Sequence, residues 1–139
     1  EALQISNITD DEFDAILDIV LKVDDIIQQE ATKRGLIHVD GKKEFALGAN
    51  RKPVLVDSFG TLDEDRWWAA ADYENGNIVS LSKEFVREYY LGTDHHDELY
   101  SAREAGTEEP PIPALPQDII DQTAALYESM FERLTGENF

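Results

Sequence analysis

Residues 35–59 read GLIHVDGKKEFALGANRKPVLVDSF, and this stretch decides the fold. Leu36 to Leu47 alternates apolar and polar residues, as a half-buried strand does, and Val54 to Phe59 starts a second apolar run. Between them GANRKP carries Gly, Asn and Pro, the residues of a short reversal, so an antiparallel hairpin over about 36–59 is predicted. Alternation puts Asp40, Lys42 and Glu44 on one face with Leu36 and His38, and Ile37, Val39 and Phe45 on the other. A turn near Ala49 would set Lys42 opposite Asp57, with Glu44 on the diagonal. Two carboxylates and a lysine then meet on one face. Such a cluster is either a solvated cross-strand ion pair or a site for magnesium and a nucleotide phosphate.

Helices flank the hairpin. In ITDDEF, Thr9 is placed to cap and Glu12 to close a capping box, with Ile8 and Phe13 as the hydrophobic staple. Phe13, Ile16, Leu17, Val20, Val23 and Ile27 then recur at helical spacing and predict one core-facing side. Lys33, Arg34 and Gly35 form the stop. GTLDEDRWWAAADYENGN reads as loop with one short turn. SKEFVREYYL reads as a second helix capped by Ser82, and residues 92–116, with Gly, His, acids and four prolines, as irregular. The last helix begins near Pro116 and stops at Gly136. The class is α+β: a short antiparallel sheet packed against long helices, in one domain over 1–139.

Composition narrows the function. Twelve basic residues against thirty acidic ones give a net charge of −18, which argues against nucleic acid as a partner. There is no cysteine, so disulfides and thiolate metal sites are excluded, and a reducing, cytoplasmic setting is expected. No apolar run approaches the ~20 residues of a membrane span, and no signal-peptide pattern is present. The chain starts at Glu1 without methionine, which predicts a fragment or processed product. Among the few cations, Lys83 and Arg87 lie four apart at a helix start, where anions are favoured. Arg66 stands in the acidic DEDRWW. These three form a candidate phosphate pocket, or else local salt bridges. DHHDE at 94–98 lacks the spacing of a zinc helix and a third ligand. Trp67, Trp68, Tyr89 and Tyr90 are read as core or interface packing.

Four blocks in order, GLIHVDGKKEF, VLVDSFGTLDEDRWW, SKEFVR and PQDIIDQTAALYESMFERLTG, resemble the C-terminal part of the SAICAR synthetases, over about Gly35 to Gly136. That resemblance implies an ATP-dependent ligase of purine biosynthesis, with magnesium as cofactor, joining aspartate to the carboxylate of CAIR, an aminoimidazole ribotide. It implies Asp40 and Lys42 as catalytic residues and Lys42, Glu44 and Asp57 as ATP-binding. Glu44 and Asp57 would be the metal ligands, and Arg66, Lys83 and Arg87 would hold the ribotide phosphate. The expected partners are ATP, CAIR, aspartate and the N-terminal half of the same protein, which carries the family's glycine-rich nucleotide loop. Without it, this part is expected to be inactive and to expose an apolar strip open to self-association. The chain departs from the family pattern at Ala46 (usually Gly), at Ser58 (usually Glu) and in a longer loop before Arg66. Residues 92–116 look like an insertion. A noncatalytic acidic interaction module is the competing reading, and convergence of the three cations separates the two.

Overall fold

The structure, a computed structural model, describes residues 5–139; the residue-1 start noted above lies outside them. The first long helix, α1 (Asp10–Lys33), begins as its sequence dictates. Thr9 Oγ1 accepts from the Glu12 amide at 3.2 Å, and the Thr9 amide donates back to Glu12 Oε2 at 2.8 Å. Arg51 then grips the same carboxylate with Nε at 2.6 Å and Nη2 at 2.7 Å, tying the hairpin turn to the helix start. The Arg51 guanidinium, seconded by the Thr9 backbone, holds the Glu12 carboxyl down to about 2. Its folded value therefore lies below the ordinary 4.5, so its stabilisation is complete above that pH and fades as pH falls toward 2. Comparing the melting temperatures of Glu12→Gln and the parent chain should show a gap at neutral pH that closes on acidification. A gap independent of pH would mean that the ion pair contributes nothing.

At the far end Gly35 takes φ +63°, a left-handed stop that lets the chain turn from α1 into β1 (Leu36–Gly41). Arg133, 98 residues on, donates to Arg34 O at 2.9 Å and Gly35 O at 2.8 Å and clamps that turn. The predicted long strand is broken at Lys42–Lys43. Its second half, β2 (Glu44–Leu47), pairs with β3 (Pro53–Val56) as the expected hairpin, shorter than 36–59. Its first half pairs instead, antiparallel, with β4 (Asp65–Ala69), in the stretch read as loop. The described residues thus form two two-stranded sheets rather than one hairpin. DRWWA alternates inward Asp65 and Trp67 with outward Arg66, but an inward aspartate disguises that period.

Four helices complete the fold: α2 (Ala70–Glu74), α3 (Glu84–Leu91), α4 (Asp94–Ala105) and α5 (Gln117–Thr135). The N-cap of α3 is Lys83, without a side-chain cap, and not the expected Ser82, which lies one residue earlier and whose Oγ only reaches the Glu84 amide at 3.4 Å. Helix α4 occupies part of the region read as irregular. All four prolines of that region lie beyond Gly106, whose left-handed conformation ends α4, so none of them interrupts it. Helix α5 starts after Pro116 and stops at Gly136, as predicted.

The core is Ala31, Leu36, Leu62, Trp67 and Met130, with Ile27, Leu81, Leu126, Tyr127 and Leu134 packed around it. It lies between the β1–β4 sheet and helices α1 and α5. The α1 stripe is only partly used. Ala31 is its one buried residue among those described, Ile16, Val20, Val23 and Ile27 are half-buried, and Phe13 and Leu17 remain 43% and 44% exposed. Two short sheets are too small to cover a 24-residue helix. No helix among the described residues is long and apolar enough to cross a membrane.

Candidate active site

The β1–β4 register sets Asp40 opposite Arg66. The two form a bidentate pair, Nε to Oδ1 at 2.7 Å and Nη2 to Oδ2, on the exposed side of the sheet. Arg66 holds the Asp40 carboxyl below the usual carboxylate range. Where the chain leaves β1, the Lys42 amide donates to Glu64 O at 3.3 Å, and Lys42 Nζ lies 2.5 Å from Glu44 Oε1 and 3.8 Å from Glu64 Oε2. The hydrogen bond to Glu44 comes first in raising the Lys42 pKa, followed by the charges of Glu44, Glu64 and Asp57.

Arg66, Lys83 and Arg87 do converge. With Asp40, Gly41, Lys42, Glu64, Asp65 and Glu84 they line one open cleft of about 370 Å³. The Lys83 amide donates to Leu62 O at 3.1 Å, which fixes the start of α3 over the loop before β4. Arg87 is paired with Glu84 one turn away. Four cations and four acidic residues, one of them the inward-turned Asp65, line the cleft, which is therefore far less acidic than a chain of net charge −18 as a whole. Lys42, Arg66 and Arg87 each have a carboxylate partner. Lys83, half-buried, has no ion pair among the described residues. A phosphate entering the cleft would meet that ammonium without displacing a carboxylate.

The expected hairpin register is off by one. Glu44 lies opposite Val56, and Asp57 falls just past the end of β3. There it adopts φ +68° and its Oδ1 accepts from the Ser58 amide at 2.8 Å. Asp57 therefore joins Lys42 from a turn, through its charge, and not as a strand neighbour. No group of three or more His, Asp or Glu suited to a metal occurs among the described residues. Glu44 and Asp57 are both exposed.

Other titratable groups find partners that the sequence does not show. Asp65 lies inside the molecule, with its side chain fully covered, and Lys43 reaches it at 2.8 Å. Burial pushes the Asp65 carboxyl up, but the His38 ring beside it and the bonded Lys43 ammonium outweigh that, and it titrates below its usual range. His38 is also buried, its Nδ1 3.1 Å from Asp24 Oδ1 and its ring 4.9 Å from Trp67. Asp63 accepts from the Tyr127 hydroxyl at 2.7 Å; burial, then that bond, pushes the phenol up to about 12. The histidines of DHHDE part company, His95 buried near Tyr90 and His96 on the surface beside Asp97.

The sequence model of the SAICAR synthetase family matches residues 1–102. The chain belongs to the SAICAR synthetase family. It is 52% identical to the phosphoribosylaminoimidazole-succinocarboxamide synthase of Thermoplasma acidophilum and 50% identical to that of Thermoplasma volcanium. In both comparisons the whole chain aligns and covers 47% of the relative, so the chain spans about half the length of these synthases. Among solved structures it superposes on a SAICAR synthetase in complex with ADP with a TM-score of 0.64. The identity is 26%, over 98% of this chain and 43% of the other. The SAICAR synthase of Saccharomyces cerevisiae, complexed with SAICAR, gives 0.64 at 28% identity over 88% and 38%. The resemblance read from the four motif blocks, and the α+β class with it, holds.

Proposed function

We propose that this chain supplies the C-terminal part of a cytoplasmic, ATP-dependent ligase that joins the amino group of aspartate to the carboxylate of CAIR, giving SAICAR, ADP and phosphate. The observation that carries this reading is the convergence of Arg66, Lys83 and Arg87 with Asp40 and Lys42 on one cleft. An acidic interaction module has no need of such a gathering.

A carboxylate is a poor electrophile, so the reaction needs an activated form. The CAIR carboxylate takes the γ-phosphoryl group of ATP, ADP leaves, and the acyl phosphate is attacked by the aspartate amine, expelling phosphate. Such a transfer depends on positioning and charge neutralisation. Lys83, Arg66 and Arg87 would hold the ribotide phosphate, Lys83 first because its ammonium has no ion pair among the described residues. Asp40, bonded to both arms of Arg66, would keep that guanidinium flat against the cleft wall. Lys42 would face the nucleotide phosphates, exchanging Glu44 for a phosphate oxygen. Glu44 and Asp57 offer hard oxygen donors in the number magnesium uses beside phosphates and water, and they would hold it. The ion would neutralise charge on the transferred phosphoryl group. This chain spans 47% of its Thermoplasma acidophilum relative, and the remainder of the protein would complete the seats for aspartate and the adenine ring and close the site.

The test is a comparison. Purified chain mixed with ATP, magnesium, aspartate and CAIR should give no SAICAR. A chimaera carrying this chain in place of the matching part of the Thermoplasma acidophilum synthase should give it. A folded but inactive chimaera would defeat the ligase reading, and turnover by the isolated chain would mean that the nucleotide site is misplaced. In the chimaera, Lys83→Ala should raise the KM for CAIR about tenfold or more, as loss of a charged hydrogen bond does, and change kcat far less. An unchanged KM would remove Lys83 from the phosphate pocket.

A further inference from the structure

The motif DGKKEF offers two adjacent lysines, and the structure uses them oppositely. The Lys42 side chain is 59% exposed at the cleft and the Lys43 side chain 6% exposed, turned inside. Strand alternation does not decide which is which, because both lie in the break between β1 and β2, outside either ladder. Something else must fix the direction.

We infer that Asp65 is a positioning residue that selects Lys42 over Lys43 for the cleft, by holding Lys43 inside the molecule at the crossing between the two sheets. The carboxylate is built in from every side. Oδ1 accepts from Lys43 Nζ at 2.8 Å and lies 3.4 Å from His38 Nε2, while Oδ2 accepts from the Gly60 amide. Gly41, its partner across the ladder, leaves room for it: a Cβ there would lie 1.3 Å from Asp65 Oδ1. A fully covered carboxylate requires a cation, and an ammonium buried without one is strongly disfavoured, so the two lock each other in place. The lysine next in sequence is thereby directed outward to Glu44. Asp65 also fixes the phase of β4, since its inward side chain puts Arg66 outward against Asp40. One buried ion pair thus sets two cleft cations. Its relevance to catalysis rests on the ligase reading; the selection itself does not.

Lysine acetylation of the native chain, read residue by residue in fragments produced by cleavage after glutamate, tests this. Lys42 should label at the rate of exposed Lys33 and Lys43 about tenfold or more slower, as a buried, paired ammonium must open first. In Asp65→Asn that contrast should vanish, with Lys43 rising to the Lys33 rate while Lys22, Lys33 and Lys52 keep theirs and the circular dichroism spectrum is retained. A purely structural aspartate would instead raise all lysines together. Lys43 labelling as fast as Lys42 in the native chain, or staying protected in Asp65→Asn, overturns the inference. Should Asp65→Asn not fold, nitrogen-15 spectra of the native chain decide. A slowly exchanging Lys43 ammonium with a nuclear Overhauser contact to Asp65 is expected, and a Lys42 ammonium there refutes the assignment. An inactive chimaera that keeps the labelling contrast counts against the ligase reading alone and still supports the selection.

Discussion

In the chimaeric synthase, Lys42→Ala and Asp57→Asn should each lower the rate of ATP-dependent SAICAR formation by about a hundredfold or more, the usual loss when a preorganised charge at a reacting phosphate is removed. Neither change has a structural excuse. The Lys42 side chain is mostly in water, and its contacts are ion pairs at the surface, worth little to stability. Asp57 sits at φ +68°, a conformation that asparagine tolerates as well as aspartate does, and an amide oxygen can still accept from the Ser58 amide. What Asn lacks is the charge. Melting temperatures should therefore barely move while kcat collapses. Near-normal turnover in either variant would remove that residue from the nucleotide site, and a large loss of stability would mean that the rate effect reflects unfolding.

Trp67→Ala should unfold the chain or come close to it. Only five apolar residues are buried among those described, and Trp67 is the largest. Its ring packs on His38, its indole nitrogen donates to Thr61 O at 3.3 Å, and its backbone carbonyl accepts from the Leu81 amide at 2.8 Å. Truncating a buried tryptophan costs about 3–5 kcal/mol, against a total of about 5–15 for an ordinary domain. Here the sheets are short and much of α1 is uncovered, so the total belongs at the low end. Urea unfolding followed by tryptophan fluorescence of Trp68 measures the loss. A midpoint close to that of the parent chain would show that the core lies elsewhere.

Local chemistry was legible without coordinates. The Thr9–Glu12 capping box, the Gly35 and Gly136 stops and the turn between β2 and β3 depend on neighbours within a few residues, and the sequence carries them directly. The three cations that line the cleft were also singled out there, because in a chain this acidic each cation stands out. Strand β4 was not legible. Its inward aspartate looks polar until Lys43, 22 residues away, is seen to neutralise it. The single-residue error in the hairpin register has a similar origin, since a turn of known composition still admits more than one loop length, and one residue exchanges the two faces. Helix α4 was hidden by prolines that lie past its end.

The sequence by itself determined the family and the termini of the two long helices α1 and α5, since these follow from residue type and short spacing. Only the tertiary structure decided which strand β1 pairs with, which of two adjacent lysines faces the cleft and that Lys83, of the four cleft cations, has no ion pair among the described residues. Those outcomes depend on charges brought together across tens of residues, where burial makes an ion pair directional and no local pattern records its partner.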